Sequence, residues 1–144
     1  MSRRIVRIAL IGCFGLFSVC SIAQERDDRA DLSGAVMVHQ YPDGGRFRTR
    51  FGDEKVTFQI LHIEGQPTQP PYTYQAQRVE PGVYLVAWLQ ADETHITFLI
   101  DTNKKRLYNS LVWGPAMRER QSEVWGIHQA EIVEFEWGPN ESVD

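Results

Sequence analysis

The sequence predicts an all-β protein, with about eight short antiparallel strands in up-and-down order closing into a barrel. Three observations lead there. Apolar and polar side chains alternate with period two in one short segment after another. The segments are separated by brief stretches rich in Gly, Pro, Asp and Asn, the residues that reverse a chain. No segment carries the continuous apolar stripe of an amphipathic helix.

The elements follow in order. Ala35 to Tyr41 and Arg46 to Phe51 flank Pro42-Asp43-Gly44-Gly45, a strong turn signal. In the second of these, Phe47, Thr49 and Phe51 alternate with Arg46, Arg48 and Arg50, which places the arginines on the wet face. Asp53-Glu54 turns the chain into Lys55 to Ile63, where Val56, Phe58, Ile60 and His62 share a face. Gly65 to Pro71 holds three prolines and reads as a loop before the strand Tyr72 to Val79. Glu80-Pro81-Gly82 is a tight turn, with proline and glycine supplying the φ angles it needs.

Val83 to Gln90 is the most apolar strand. Its set Tyr84, Val86 and Trp88 is predicted to face inward. Ala91-Asp92-Glu93 returns the chain into Thr94 to Ile100, with Ile96, Phe98 and Ile100 on one face, and Thr102-Asn103-Lys104 turns it into Arg106 to Trp113. Gly114 to Glu123 is a long polar connection with room for a helical turn, and Trp125 to Phe135 closes the series. A jelly roll or immunoglobulin-like sandwich is the alternative. The single-turn connections from Tyr72 to Trp113 favour a meander, and eight strands in that order can close around one small ligand.

The ends of the chain differ from this interior. Met1 to Arg7 carries three arginines and no acid, and Ile8 to Ala23 follows with sixteen uncharged residues, short of the ~20 that span a bilayer as a helix. Ser21-Ile22-Ala23 ends the run with small residues at the positions a signal peptidase accommodates. Residues 1–23 therefore read as a secretory signal peptide cut after Ala23, and the protein as periplasmic or secreted. A short N-terminal membrane anchor is the alternative. Leu10-Ile11-Gly12-Cys13 looks like a lipoprotein box, but the apolar run continues beyond it, so general secretion is the expectation. Residues 24–31 form a polar linker, 32–137 the barrel domain and 138–144 an acidic tail.

Charge and cysteine content exclude several function classes. The 144 residues carry 15 basic and 19 acidic side chains, a formal charge of −4; removing Arg3, Arg4 and Arg7 leaves 12 against 19, or −7. Such a surface argues against nucleic acid and, for the mature chain, against a membrane. Both cysteines, Cys13 and Cys20, fall in the leader, so the mature chain has no thiolate nucleophile, disulfide or cysteine metal site. The four histidines are far apart in sequence and read as surface or half-buried strand residues. No Gly-x-Ser-x-Gly elbow is present, and Asp43-Gly44-Gly45 lacks the helix and lysine of a phosphate loop. Glu134 and Glu136 share one face of the last strand and read as a solvated edge, with Glu131 outward as well. No cofactor is implied.

The stretch Val79 to Tyr108 carries a resemblance. Pro81-Gly82-Val83-Tyr84, Val86, Trp88 and Thr94, followed by Asp101-Thr102-Asn103-Lys104, are similar to the strand pair and basic turn of the MoaF-like family, named for a protein associated with molybdenum cofactor biosynthesis. The same pattern resembles the phenolic acid decarboxylases, and both resemblances imply a lipocalin-like (calycin) barrel. The decarboxylases hold the substrate carboxylate with a Tyr-x-Tyr pair; this sequence has His39-Gln40-Tyr41, so only Tyr41 matches. Their glutamate two residues beyond the hairpin tryptophan corresponds to Gln90, which cannot ionise. Their loop arginine has no counterpart in Gly65 to Pro71. The resemblance thus implies the barrel without the decarboxylation machinery.

The aromatic residues suggest where a ligand sits. Tyr72, Tyr74, Tyr84, Trp88 and Phe98 come from neighbouring strands; if they share the interior they either line a pocket or fill a solid core. With Tyr41, and with Gln90 as polar partner at the lip of its strand, they make the expected ligand-binding set. The leading expectation is an exported, non-catalytic binder of a small aromatic or amphipathic molecule. A lyase or isomerase using Tyr41 and a histidine is one alternative, and a protein-interaction module built on a solid barrel is another.

Overall fold

The structure, a computed structural model, describes residues 31–114 and 125–138. The leader, most of the polar linker, all but the first residue of the Gly114–Glu123 connection, and the acidic tail beyond Gly138 lie outside the described residues. The strands are β1 (Ala35–Gln40), β2 (Arg46–Phe51), β3 (Lys55–Ile60), β4 (Tyr72–Glu80), β5 (Val83–Leu89), β6 (His95–Asp101), β7 (Arg106–Val112) and β8 (Trp125–Trp137). Each pairs antiparallel with the next in chain order, and β8 returns to β1, so the sheet closes into a barrel. The eight strands read from alternation and turn residues are all present, and the meander expectation holds.

Closure decides what the alternation means. Inward positions recur every second residue, and facing partners agree across each ladder: Tyr84 lies beside Ile100, Val86 beside Phe98 and Trp88 beside Ile96. Those on β5 are buried, Trp88 to 6% exposure, as its place in the apolar alternation predicts. Arg48 and Arg50 are exposed on the outer face. Two irregularities interrupt the ladders. Between β1 and β8 the register shifts from Val38↔Glu134 to His39↔Ile132, leaving Val133 as an extra residue, so that Ile132 and Phe135 can both reach the interior. Between β4 and β5 it shifts from Arg78↔Tyr84 to Glu80↔Val83.

The two ends of the barrel differ. One end is packed: Leu32, Met37, Phe51, Tyr84, Leu107 and Ile132 are fully or almost fully buried against one another. Its turns interlock. Thr102 donates to the Gly82 carbonyl from both its backbone N–H and its hydroxyl, each at 2.9 Å, and Asn103 Nδ2 donates to the Pro81 carbonyl at 2.8 Å. Gly82 has φ of 75°, and a Cβ there would stand 2.6 Å from Asn103 Nδ2, so both backbone shape and space demand glycine. The other end, where β1 meets β2 and β5 meets β6, opens on a cavity.

The last strand requires one correction. Glu134 and Glu136 are solvated, but β8 is not an edge: closure pairs it with β1, and Glu134 makes a 3.1 Å ion pair with Arg46 of β2. Both partners are exposed, so that contact contributes little to stability.

Candidate functional site

The cavity at the open end measures about 340 Å³, within the size range of small-molecule sites. Strand alternation brings its walls together from all sides. β1 supplies His39 and, just beyond its end, Tyr41; β2 supplies Phe47; β3 supplies Phe58; β5 and β6 supply Trp88 and Phe98; β7 supplies Asn109. Gln90 and His62 stand at the rim, with His128 on the β8 side.

Rings dominate the walls. The His39 imidazole stacks on Phe47 with centroids 5.5 Å apart and an interplanar angle of 15°. Tyr41 and Phe98 meet it edge-on at 5.5 and 5.6 Å, and Trp88 meets Phe98 edge-on at 4.8 Å. These geometries suit the ring quadrupoles and leave the walls stiff. They also remove water from His39, which is 2% exposed. Desolvation lowers its pKa to about 4, so the ring is neutral at pH 7.

The polar groups are few and specifically arranged. Asn109 Nδ2 donates to Tyr41 Oη at 2.7 Å, which leaves the phenolic proton free to donate elsewhere. Burial, opposed by the Asn109 hydrogen bond and aided by the Asp43 carboxylate, raises the Tyr41 pKa, so it stays a neutral phenol. The Arg46 backbone N–H donates to His62 Nδ1 at 3.0 Å, which puts the proton of a neutral His62 on Nε2. Three buried polar atoms of the cavity residues have no protein partner: His39 Nδ1, Trp88 Nε1 and Asn109 Oδ1. Buried polar atoms are nearly always paired, so three in one cavity mark a place prepared for something polar.

The residues expected from the sequence separate into two groups. Tyr41, Trp88, Gln90 and Phe98 line the cavity. Tyr84 is fully buried in the packed end, two residues short of Val86 and four short of Trp88 along the barrel axis. Tyr74 is turned away: its hydroxyl donates to the Gly52 carbonyl at 2.7 Å and its ring meets Phe51, so it fastens β4 to the β2–β3 turn. Tyr72 is half-buried and stacks on Phe58 at 6.2 Å, behind the wall that Phe58 forms. The strands tilt as the barrel closes, so residues of one face arrive at different depths.

Sequence reading missed the histidines. His39 is neither surface nor half-buried, and His39, His62 and His128 line one cavity from three distant segments. The available signal was period two: His39 lies two residues from both Met37 and Tyr41, and Asn109 lies two beyond Leu107. His39, Tyr41 and Gln90, the positions the decarboxylase resemblance singles out, all line the cavity. Among the described residues, no group of three or more His, Cys, Asp or Glu could hold a metal ion.

A closed eight-stranded meander with one end packed and the other opening on an aromatic cavity defines a calycin-like barrel. The chain belongs to the MoaF family: the MoaF N-terminal domain matches residues 24–112, more than half its length. No curated protein matches it. Among solved structures, a crystal structure described as a "putative beta-lactamase from Burkholderia vietnamiensis" aligns with a TM-score of 0.57 at 15% identity, covering 76% of this chain and 97% of the other. At that identity the likeness concerns the fold alone.

Proposed function

We propose that this MoaF-family barrel is a binding protein that holds one small aromatic or amphipathic molecule in the open end of its lumen. The observation that carries the reading is the set of three unpartnered buried polar atoms, His39 Nδ1, Trp88 Nε1 and Asn109 Oδ1, around an otherwise aromatic cavity. Leaving such atoms unpaired costs roughly 1–3 kcal/mol each, a burden a ligand relieves and a purely structural core avoids. The cavity therefore favours binding over an interaction module with a solid core. Native mass spectrometry of the gently purified protein, followed by displacement of an environment-sensitive dye, tests the reading. One-to-one binding that quenches Trp88 supports it; dye that binds only the outer surface overturns it.

A second reading is a lyase or isomerase, favoured by the neutral His39 ring lying edge-on to Tyr41, a base and an acid in contact across the cavity. Gln90 stands where the resembling decarboxylases carry an ionisable group, so binding remains the first reading. Turnover assays on hydroxycinnamates, compared with His39→Gln and Tyr41→Phe, separate the two.

We further propose export, with the mature chain beginning at Gln24. The charge, length and exit residues of segment 1–23 support this, as does the family match starting at residue 24. N-terminal sequencing of periplasmic or secreted material should read Gln24-Glu25; a Met1 start in the membrane fraction would establish an anchor instead.

A further inference from the structure

The polar atoms of the cavity also restrict the class of molecule that fits, an inference that rests on the lumen-binding reading above. An indole N–H only donates, so Trp88 Nε1 needs an acceptor from the ligand. Asn109 has committed its amide nitrogen to Tyr41, so its free Oδ1 needs a donor. The two residues stand on either side of Phe98, because Phe98 is paired with Asn109 on β7 and Trp88 lies on β5 next to Ile96. A ligand lying on Phe98 would thus meet a donor at one side and an acceptor at the other.

Charge narrows the class further. No lysine or arginine lines the cavity, and the one carboxylate among its lining residues is Asp43. A ligand carboxylate would enter without a cation to pair with and with Asp43 near the mouth, which is costly for a desolvated charge. A ligand ammonium would find aromatic faces and Asp43, but would place a second donor against the Trp88 N–H. We propose that the lumen selects a neutral, flat aromatic molecule that carries both a hydrogen-bond acceptor and a hydrogen-bond donor, such as a phenolic or heteroaromatic amide, over the corresponding acid, amine or hydrocarbon. His39, neutral between Phe47 and Phe98, completes the uncharged lining and can either accept or donate at Nδ1.

The test uses one ring in four states. Isothermal titration calorimetry of the mature protein at pH 7 compares 6-hydroxy-2-naphthamide, 6-hydroxy-2-naphthoate, the matching aminomethyl naphthol and 2-methylnaphthalene. The amide should bind roughly tenfold or more tightly than each of the other three, about the weight of one buried hydrogen bond. Equal binding of the hydrocarbon overturns the hydrogen-bonding class while leaving lumen binding intact. Tighter binding of the acid or the amine overturns the neutral class in the same way. No binding of any of the four overturns both the class and the lumen reading. Trp88→Phe keeps a ring and removes the donor, and Asn109→Leu removes the acceptor. Each should weaken the amide about tenfold and leave 2-methylnaphthalene within about twofold. An unchanged preference for the amide in both folded variants overturns the assignment of these two atoms, and the wild-type series stands as a test should either variant fail to fold.

Discussion

Burying an imidazole among rings has a consequence that depends on pH. In the unfolded chain His39 titrates near its ordinary 6.5, whereas in the barrel desolvation holds it at about 4. Above pH 6.5 both states are neutral and the native state keeps its full stability. As the pH falls from 6.5 to about 4, the unfolded chain takes up a proton that the native ring refuses, so stability is lost across that window. The lowering corresponds to about 3 kcal/mol at the acid end. Urea midpoints measured from pH 7.5 to 4.5 should therefore fall less steeply for His39→Phe than for the wild type; parallel curves would show that His39 is not held neutral. Trp88 separates packing from recognition at the same scale. Trp88→Ala should destabilise by about 3–5 kcal/mol, a large part of the ~5–15 kcal/mol that a domain possesses. Trp88→Phe should retain most of the stability, since it preserves the edge-on contact with Phe98 and loses only the indole ring's extra reach. Thermal melts of the two variants check the difference.

At the scale of elements, the motif that carries the family resemblance divides its work between the two ends of the barrel. Pro81-Gly82 and Thr102-Asn103 form two turns that hydrogen-bond to each other at the packed end, whereas Trp88, from the strand between those turns, reaches the cavity. Gly82→Ala would force a side chain into positive φ and against Asn103, and should cost about 1–3 kcal/mol. Ligand affinity should stay unchanged, because the turn lies at the far end from the cavity; a calorimetric titration beside a melting curve reads both. This division explains what the sequence made legible. Alternation in Phe47-Arg48-Thr49-Arg50-Phe51 and punctuation by Gly82 or Asn103 are local properties, and they locate strands, turns and the inward face. Depth along the barrel axis is not local. Tyr84 and Trp88 share one face of β5, yet one fills the packed end and the other walls the cavity. Tyr74 lies opposite Trp88 in the ladder, yet its hydroxyl reaches Gly52 because the strands tilt. The meeting of His39, His62 and His128 follows from closure of the whole sheet, and no spacing in the chain announces it.

For the whole molecule, the seam between β3 and β4 sets how the barrel opens. Near the β2–β3 turn this seam is fastened by the register pairs Lys55↔Thr73 and Val56↔Tyr72 and by the Lys55 Nζ donation to Thr73 at 2.8 Å. Tyr74 adds its hydroxyl bond to Gly52 and its backbone N–H to the Glu54 carbonyl at 3.1 Å; burial, with Asp31 and Asp53 nearby, pushes its pKa up to about 12, so the hydroxyl remains a donor. Toward the cavity the ladder stops. Gln69 N–H still donates to the Phe58 carbonyl at 2.7 Å, but Pro67, Pro70 and Pro71 in the same loop have no N–H to give. Every other seam carries a longer ladder, with β5, β6 and β7 paired along their full lengths. Local opening follows the weakest hydrogen bonding, so the segment 58–73 should exchange its backbone amides with deuterium faster than 83–112. A ligand that fills the cavity touches Phe58 and His62, and should slow exchange in this segment more than elsewhere. Tyr74→Phe removes one bond of about 1 kcal/mol and should raise opening of the seam roughly fivefold while leaving 83–112 unaffected. Uniform exchange across the barrel, or a Tyr74→Phe effect spread equally over all strands, would show instead that the barrel opens only by unfolding as one unit.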